Sequence, residues 1–391
     1  MTAERSAWLG AAVLAAIVLC SGLVAVPAAQ ARDRLATAGY LQGSLLHLAA
    51  ASDRADQTEY RLHHRLNLRW DLDAELSLHG GLRTRLFAGD LVRNDPAYSA
   101  GLTRDRGLVD LSWTLVEQDS WLLHTIPDRL YLEQAHADWN LRVGRQRVNW
   151  GVNLITNPND IFNMYSIYDV DYPERPGSDA LRLQRFLAFN ARVELAVSPA
   201  RALRDSVAAA LYAWHRRGYD VQLIAGYYRQ QLALGGGWAG NLGGAGFKGE
   251  TMLFHGTDRE EERHQTNVVI ATSVDYMFAG GLFLVGELLY NRAGDGQGFQ
   301  LPAATISAAN PSLARYQAAV QLAWRIHPLL NGALTGIYYP QQEALFLSPA
   351  LTWSLTQNTD LQVLGQFFNG GSEAPFADAG NLLFGSLTYN F

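Results

Sequence analysis

Cysteine is almost missing from this chain: Cys20 is the single one in 391 residues. A disulfide-stapled scaffold and a thiolate metal site are thereby excluded. Charge is also scarce. Charged residues make up 17%, against roughly 25% in ordinary globular proteins. The formal net charge is -6, without the basic excess that a nucleic-acid binder uses. Beyond residue 31 no apolar run reaches the roughly 18–20 residues of a membrane helix. Catalytic signatures are absent too: there is no H-E-x-x-H, G-x-S-x-G or Walker pattern. His63 and His64 are adjacent and point to opposite faces of a strand, a poor metal pair. No spacing joins Ser44, Ser77, Ser112 and His136 into a nucleophile and its base. The chain reads as a non-enzyme without cofactor or metal. It is not a disordered chain either, because aromatic residues reach 11% and hydrophobic residues 48%.

The first segment reads as an export signal. Arg5 supplies a short basic start, Ala7 to Val26 is apolar, and Ala29-Gln30-Ala31 is a small-x-small cleavage site. Cleavage after Ala31 is expected, leaving 32–391 as one domain without cysteine. Only residues 32–38 precede the first expected strand, too few for the plug domain of an energised receptor.

What is abundant is alternation with a period of two. Asp71, Asp73, Glu75, Ser77, His79, Gly81, Arg83 and Arg85 alternate with Leu72, Ala74, Leu76, Leu78, Gly80, Leu82 and Thr84. Arg61, His63, Arg65, Asn67 and Arg69 alternate with Leu62, His64, Leu66, Leu68 and Trp70. The same holds at Arg192 and Glu194, at Lys248 and Glu250, and at Gln321 and Arg325. One face is apolar and the other is charged. The strands are long, and little helix separates them. In hydrocarbon an all-strand chain must close on itself to satisfy its backbone. Aromatic residues such as Trp70, Trp139, Tyr212, Trp214 and Trp353 fall near strand ends, where a membrane girdle needs them.

These observations predict an all-β, transmembrane antiparallel β-barrel with long extracellular loops. Nineteen segments can be marked, including 59–70, 73–87, 107–116 and 129–137. Bacterial single-chain barrels have even numbers, and the stretch 117–128 is the ambiguous one. Eighteen strands are expected, with 16 as the alternative. The polar stretch 150–179 is dense in Asn, Asp, Tyr and Trp and is expected to fold inward.

The ending carries a resemblance. Leu383, Gly385, Leu387, Tyr389 and Phe391 share one face and finish on an aromatic residue. This is similar to the terminal strand of bacterial outer-membrane proteins. Overall the chain resembles the large porin-like and alginate-export-like barrels. The resemblance implies a place in the cell outer membrane of a Gram-negative-type bacterium. It also implies contact with outer-membrane lipids, and with the barrel assembly machinery through the Phe391 strand.

Sorting charges by parity gives the candidate lumen. The basic candidates are Arg61, Arg65, Arg69, Arg83, Arg85, Arg142, Arg147, Arg182, Arg192, Lys248 and Arg325. The acidic ones are Asp71, Asp73, Glu75, Glu133, Glu194, Glu250, Asp275 and Glu287. In the inward stretch, Asn157, Asp160, Glu174 and Asp179 join them, and Arg145 or Arg147, Arg182, Glu174 and Asp179 are expected to pair in one network. Bases slightly exceed acids. The expected function is an outer-membrane channel for passive or selective diffusion of small polar or anionic solutes. The alternative is a structural, adhesion or assembly barrel with a filled lumen, its charges paired across strands. The oligomeric state is left open.

Overall fold

The computed structural model describes residues 34–50, 55–105, 107–164, 167–168, 177–187, 190–257, 266–294, 306–371 and 379–391. The expected signal segment and Glu174 lie outside them. The strands are β1 (Leu35–Ala49), β2 (Gln57–Asp71), β3 (Leu76–Gly89), β4 (Trp113–Gln118), β5 (Trp121–Ala135), β6 (Trp139–Gln146) and β7 (Ser178–Leu187). They continue as β8 (Ala191–Ser198), β9 (Val207–Arg216), β10 (Tyr219–Tyr228), β11 (Gln231–Leu242), β12 (Ala245–Gly256) and β13 (Thr266–Met277). The last are β14 (Leu282–Asn291), β15 (Tyr316–His327), β16 (Leu330–Tyr339), β17 (Ala344–Ser354), β18 (Thr359–Asn369) and β19 (Asn381–Asn390). Two short helices, α1 (Asp90–Asn94) and α2 (Pro96–Thr103), follow β3.

Every pairing is antiparallel, and the sheet closes. Tyr40 of β1 lies opposite Arg65 of β2 on one side and Asn390 of β19 on the other. Phe391 and Gly39 exchange backbone hydrogen bonds at 2.9 and 3.0 Å across this seam. The wall is inside out relative to a soluble protein. In β8 the Glu194 side chain is fully buried while Leu195 and Val197 are 47% and 43% exposed. In β19 Leu383, Leu387 and Tyr389 are about half exposed and Leu382, Phe384 and Ser386 are buried. Exposed apolar side chains around the wall, such as Leu183, Leu223, Val274 and Val363, are stable only against hydrocarbon, so the alternation selects a barrel with a lipid-facing exterior.

The nineteen segments make eighteen staves. β5 pairs with β3 along its whole length. Its other edge is shared: residues 130–135 pair with β6, and residues 121–125 pair with the short β4. β4 therefore stands in the wall above the point where β6 ends and the chain turns inward. This corrects the expected segments 107–116 and 129–137: the stretch 117–128 holds the tight turn and the upper half of β5. A second correction concerns 71–85. The alternation there is broken by a turn at 72–75, where the Asp73 carboxylate accepts the backbone N–H groups of Glu75 and Leu76, both at 2.8 Å. Those two bonds hold the Asp73 carboxyl below its ordinary range. Asp71, Asp73 and Glu75 thus belong to the turn and its edge rather than to a lumenal ladder.

At the end that holds Phe391 the turns are short: 72–75, 136–138, 217–218, 243–244, 278–281, 328–329 and 355–358. Most connections at the opposite end are long. Three are not, at 119–120, 229–230 and 340–343.

The gap beside β4 is closed by one buried guanidinium. Arg145 is paired with Asp179 (2.7 and 3.0 Å) and with Asp105 (2.7 Å), and donates to the carbonyl of Val109 (2.8 Å). It ties the 105–111 segment to the rim of β7. Removing it would leave two buried carboxylates side by side, a change that costs about 3–5 kcal/mol. Arg145→Leu is expected to lower the urea midpoint of the folded barrel and to open 105–112 to protease. An unchanged midpoint would count against the seal.

Candidate functional site

Beyond β6 the chain enters the barrel. Val148, Trp150, Ile161 and Phe162 are buried against Ala196, Leu211, Ile224, Met252 and Phe254 of the surrounding wall. A ring pair joins Trp150 to Phe162 edge-on at 5.0 Å. This segment has no regular ladder, so its backbone polar groups need partners from the wall. Glu250 of β12 accepts the N–H of Val152 (2.5 Å), Asn153 (2.7 Å) and Asn159 (2.8 Å). Glu287 of β14 accepts the N–H of Thr156 (3.0 Å) and the Asn153 amide (2.8 Å). Trp150 donates its indole N–H to Glu194 of β8 (2.5 Å), and its carbonyl accepts from Gln222 of β10 (2.6 Å). Gly237 of β11 makes room. A Cβ there would sit 3.0 Å from the Asn159 amide and 3.2 Å from Val152. Farther along, Tyr168 is hydrogen-bonded to Tyr339 of β16, and Gln366 of β18 donates to its carbonyl (3.0 Å). A second inward piece, 306–314, joins it: Asn291 donates to Asn310 (2.6 Å) and to the Ser312 carbonyl (3.1 Å). The inner faces of β8–β18 are thus covered over the part away from the Phe391 end.

The opposite side of the lumen is different. Arg61 and Arg65 of β2 and Arg83 and Arg85 of β3 all point inward and are buried. Two carboxylates among the described residues, Glu59 and Asp128, meet this group. Arg61 is paired with Glu59 (2.5 Å), and Arg65 is bidentate to Asp128 of β5 (2.7 and 3.0 Å). The latter bridge crosses β3 over Gly81, where a Cβ would lie 2.8 Å from Arg65 and 3.0 Å from Asp128. Arg83 donates to His63 (3.2 Å). Arg61 and Arg85 also stack on the Phe87 ring at 5.1 and 4.8 Å. Helix α2 covers this row: Tyr98 accepts from Arg61 (3.2 Å) and the Leu102 carbonyl from Arg85 (3.4 Å).

Toward the Phe391 end the charges compensate one another across strands. Arg142 is paired with Glu133 (2.8 and 3.0 Å), and Arg182 with Glu194 (2.6 and 3.1 Å). Arg192 lies 3.8 Å from Glu194, and Lys248 is paired with Asp275. Arg69 meets Asp71 at 2.9 Å near the turn. Arg325 is exposed and has the inward parity of Gln317 and Ala319. Arg147 is half-buried just past β6.

Of the network expected among Arg145 or Arg147, Arg182, Glu174 and Asp179, the Arg145–Asp179 pair forms and Arg182 does not join it, while Glu174 lies outside the described residues. Asp179 is three residues before Arg182 on an unbroken strand, so it points to the outer side and joins Arg145 there. Arg182 turns to Glu194 instead. Asn157 and Asp160 are buried within the inward segment, where Asp160 donates its N–H to the Asn157 carbonyl (3.1 Å). Sequence reasoning missed Glu59, Asp128, Tyr98 and Asp105. For Tyr98 a signal existed: Asp95-Pro96 is a helix start, and the Asp95 side chain accepts from Ala97 (3.0 Å) and Tyr98 (3.1 Å).

Neither protein-family models nor curated protein sequences match the chain. Solved structures do, at low identity. OccAB4 of Acinetobacter baumannii superposes with a TM-score of 0.60 at 10% identity, covering 92% of this chain and 98% of that one. OccAB1 of the same organism gives 0.56 at 10% identity, over 91% and 96%. OccK8 (OprE) of Pseudomonas aeruginosa gives 0.56 at 10%, over 92% and 98%. At these identities the likeness is one of fold, and the fold of this chain is that of a porin-like outer-membrane β-barrel.

Proposed function

We propose that this protein is an outer-membrane channel for passive or selective diffusion of small polar or anionic solutes. The observation that carries the reading is the inward Arg61, Arg65, Arg83 and Arg85 group on a wall whose outside is apolar. Guanidinia in a narrow, low-dielectric passage attract anions and repel cations. The segments packed on β8–β18 at the end away from Phe391 support a solute route on the side of the basic row. A strongly charged lumen is also what the likeness to alginate-export-like barrels implies. The second reading, a barrel with a filled lumen in an adhesion or assembly role, is favoured by the two inward pieces, 148–164 and 306–314.

Planar bilayers separate the two. Purified protein under a KCl gradient is expected to give discrete conductance steps with an anion-side reversal potential. The double change Arg83→Gln and Arg85→Gln is expected to move that potential toward the cation side. A protein silent in chloride, phosphate and dicarboxylate salts alike would favour the filled-barrel reading, and an unmoved potential would remove the basic row from the path.

A further inference from the structure

The basic row is closed from above by a segment of unusual attachment. Residues 90–103 leave the wall at Gly89, whose φ of +125° turns the chain inward. The outer anchor is Asp90, which accepts the Thr58 N–H (3.3 Å), and the far end is fixed where Asp105 meets Arg145 (2.7 Å). Between these anchors Leu91 packs toward Leu46 and Phe384, and Val92 and Leu102 touch Phe87 and Leu122. Tyr98 meets Arg61 and is hydrogen-bonded to Glu59, and the Leu102 carbonyl meets Arg85 at 3.4 Å. The two contacts to the row give a guanidinium a neutral oxygen. A carboxylate or phosphate oxygen is a shorter and stronger acceptor for the same N–H groups.

Unused polar atoms lie under this cover. His124 of β5 is the register partner of Arg85, which is in turn the partner of His63 on β2. His124 is 1% exposed, and among the described residues neither of its ring nitrogens has a hydrogen-bond partner; the same is true of Nδ1 of His63. Buried polar groups without partners are rare in a finished structure. Here two of them flank one arginine.

We propose that residues 90–103 form a lid over the Arg61–Arg85 row, and that an anionic solute displaces this lid by taking over its hydrogen bonds. The proposal rests on the channel reading and adds its regulation: the anion is both cargo and opener. No strand ladder holds the lid, so its local opening needs less than unfolding of the wall. The anchors at Asp90 and Asp105 are outside the row and keep the opened segment tethered.

The test uses full-length protein in a Cys20→Ser background, which leaves a thiol placed by His124→Cys as the only one. Its rate of labelling by a small neutral maleimide reports the cover. Replacing 91–103 with a short Gly-Ser link is expected to speed labelling tenfold or more. Inorganic phosphate or a dicarboxylate, against chloride at equal ionic strength, is expected to speed it several-fold in the full-length chain only. Tyr98→Phe with Val92→Ser loosens the same contacts at constant length and is expected to act in the same direction, should the shortened chain fail to fold. Equal rates with and without the segment would overturn the lid. Acceleration by the shortening but not by phosphate or dicarboxylate would overturn displacement by the anion. Conductance is read separately: labelling as expected in a protein that never conducts leaves the lid standing and sinks the channel.

Discussion

Glu250→Ala is expected to release the inward segment while the wall stays closed. The carboxylate of Glu250 makes none of the strand ladder; it accepts three backbone N–H groups from 152–159. Each buried donor left without an acceptor costs about 1–3 kcal/mol, so the loss falls on the segment and reaches several kcal/mol. What remains is the Glu287 pair of bonds, the Trp150 anchors and the apolar contacts of Val148, Ile161 and Phe162. Adding Glu287→Ala removes a further set. Single-channel conductance is expected to rise at least twofold in the double variant, and protease is expected to cut within 148–164. The β12–β13 and β14–β15 registers do not involve these side chains, so the heat-modifiable gel shift of the folded barrel is expected to persist. Glu250→Gln keeps one acceptor oxygen and is expected to fall between the two. Unchanged conductance together with full protease protection would mean that apolar packing alone holds the segment.

The same residues show what a sequence can and cannot reveal. Parity alone places Glu194, Glu250 and Glu287 on the inner face, because a strand offers only two sides. It gives no sign of what they hold, since the partners lie 44 to 134 positions away in the chain. Barrel, strand number and closure follow from alternation and from the terminal strand, which are local signals. The misplacements have local causes as well. At 71–85 the turn residues happen to continue the alternation, so the break at 72–75 is invisible. At 178–182 the alternation was not carried through Asp179, and its outward direction was missed. Asp128 is the clearest omission. It sits where the β3–β5 register slips by one residue at Gly81/Leu82, and such a bulge re-aims a side chain against simple parity.

That slip makes the strongest stability prediction. Arg65 and Asp128 are both nearly fully buried, and their bidentate bridge spans β3 because Gly81 has no side chain. A leucine at 81 would occupy the bridge, and its Cβ alone would lie within contact of both groups. Gly81→Leu and Asp128→Ala each leave a buried charge without its partner, which costs about 3–5 kcal/mol. Replacing both ions is different. Arg65→Met with Asp128→Leu removes the desolvation cost along with the attraction, and such exchanges are commonly neutral or stabilising. Urea unfolding of the barrel is expected to rank the double variant near the parent and well above either single change. Because the double change removes one positive and one negative charge, the reversal potential is expected to stay with the parent as well. If Asp128→Ala were as stable as the parent, the bridge would be incidental to the wall. If the double variant were as weak as Asp128→Ala, the ion pair itself would be holding β2, β3 and β5 in register.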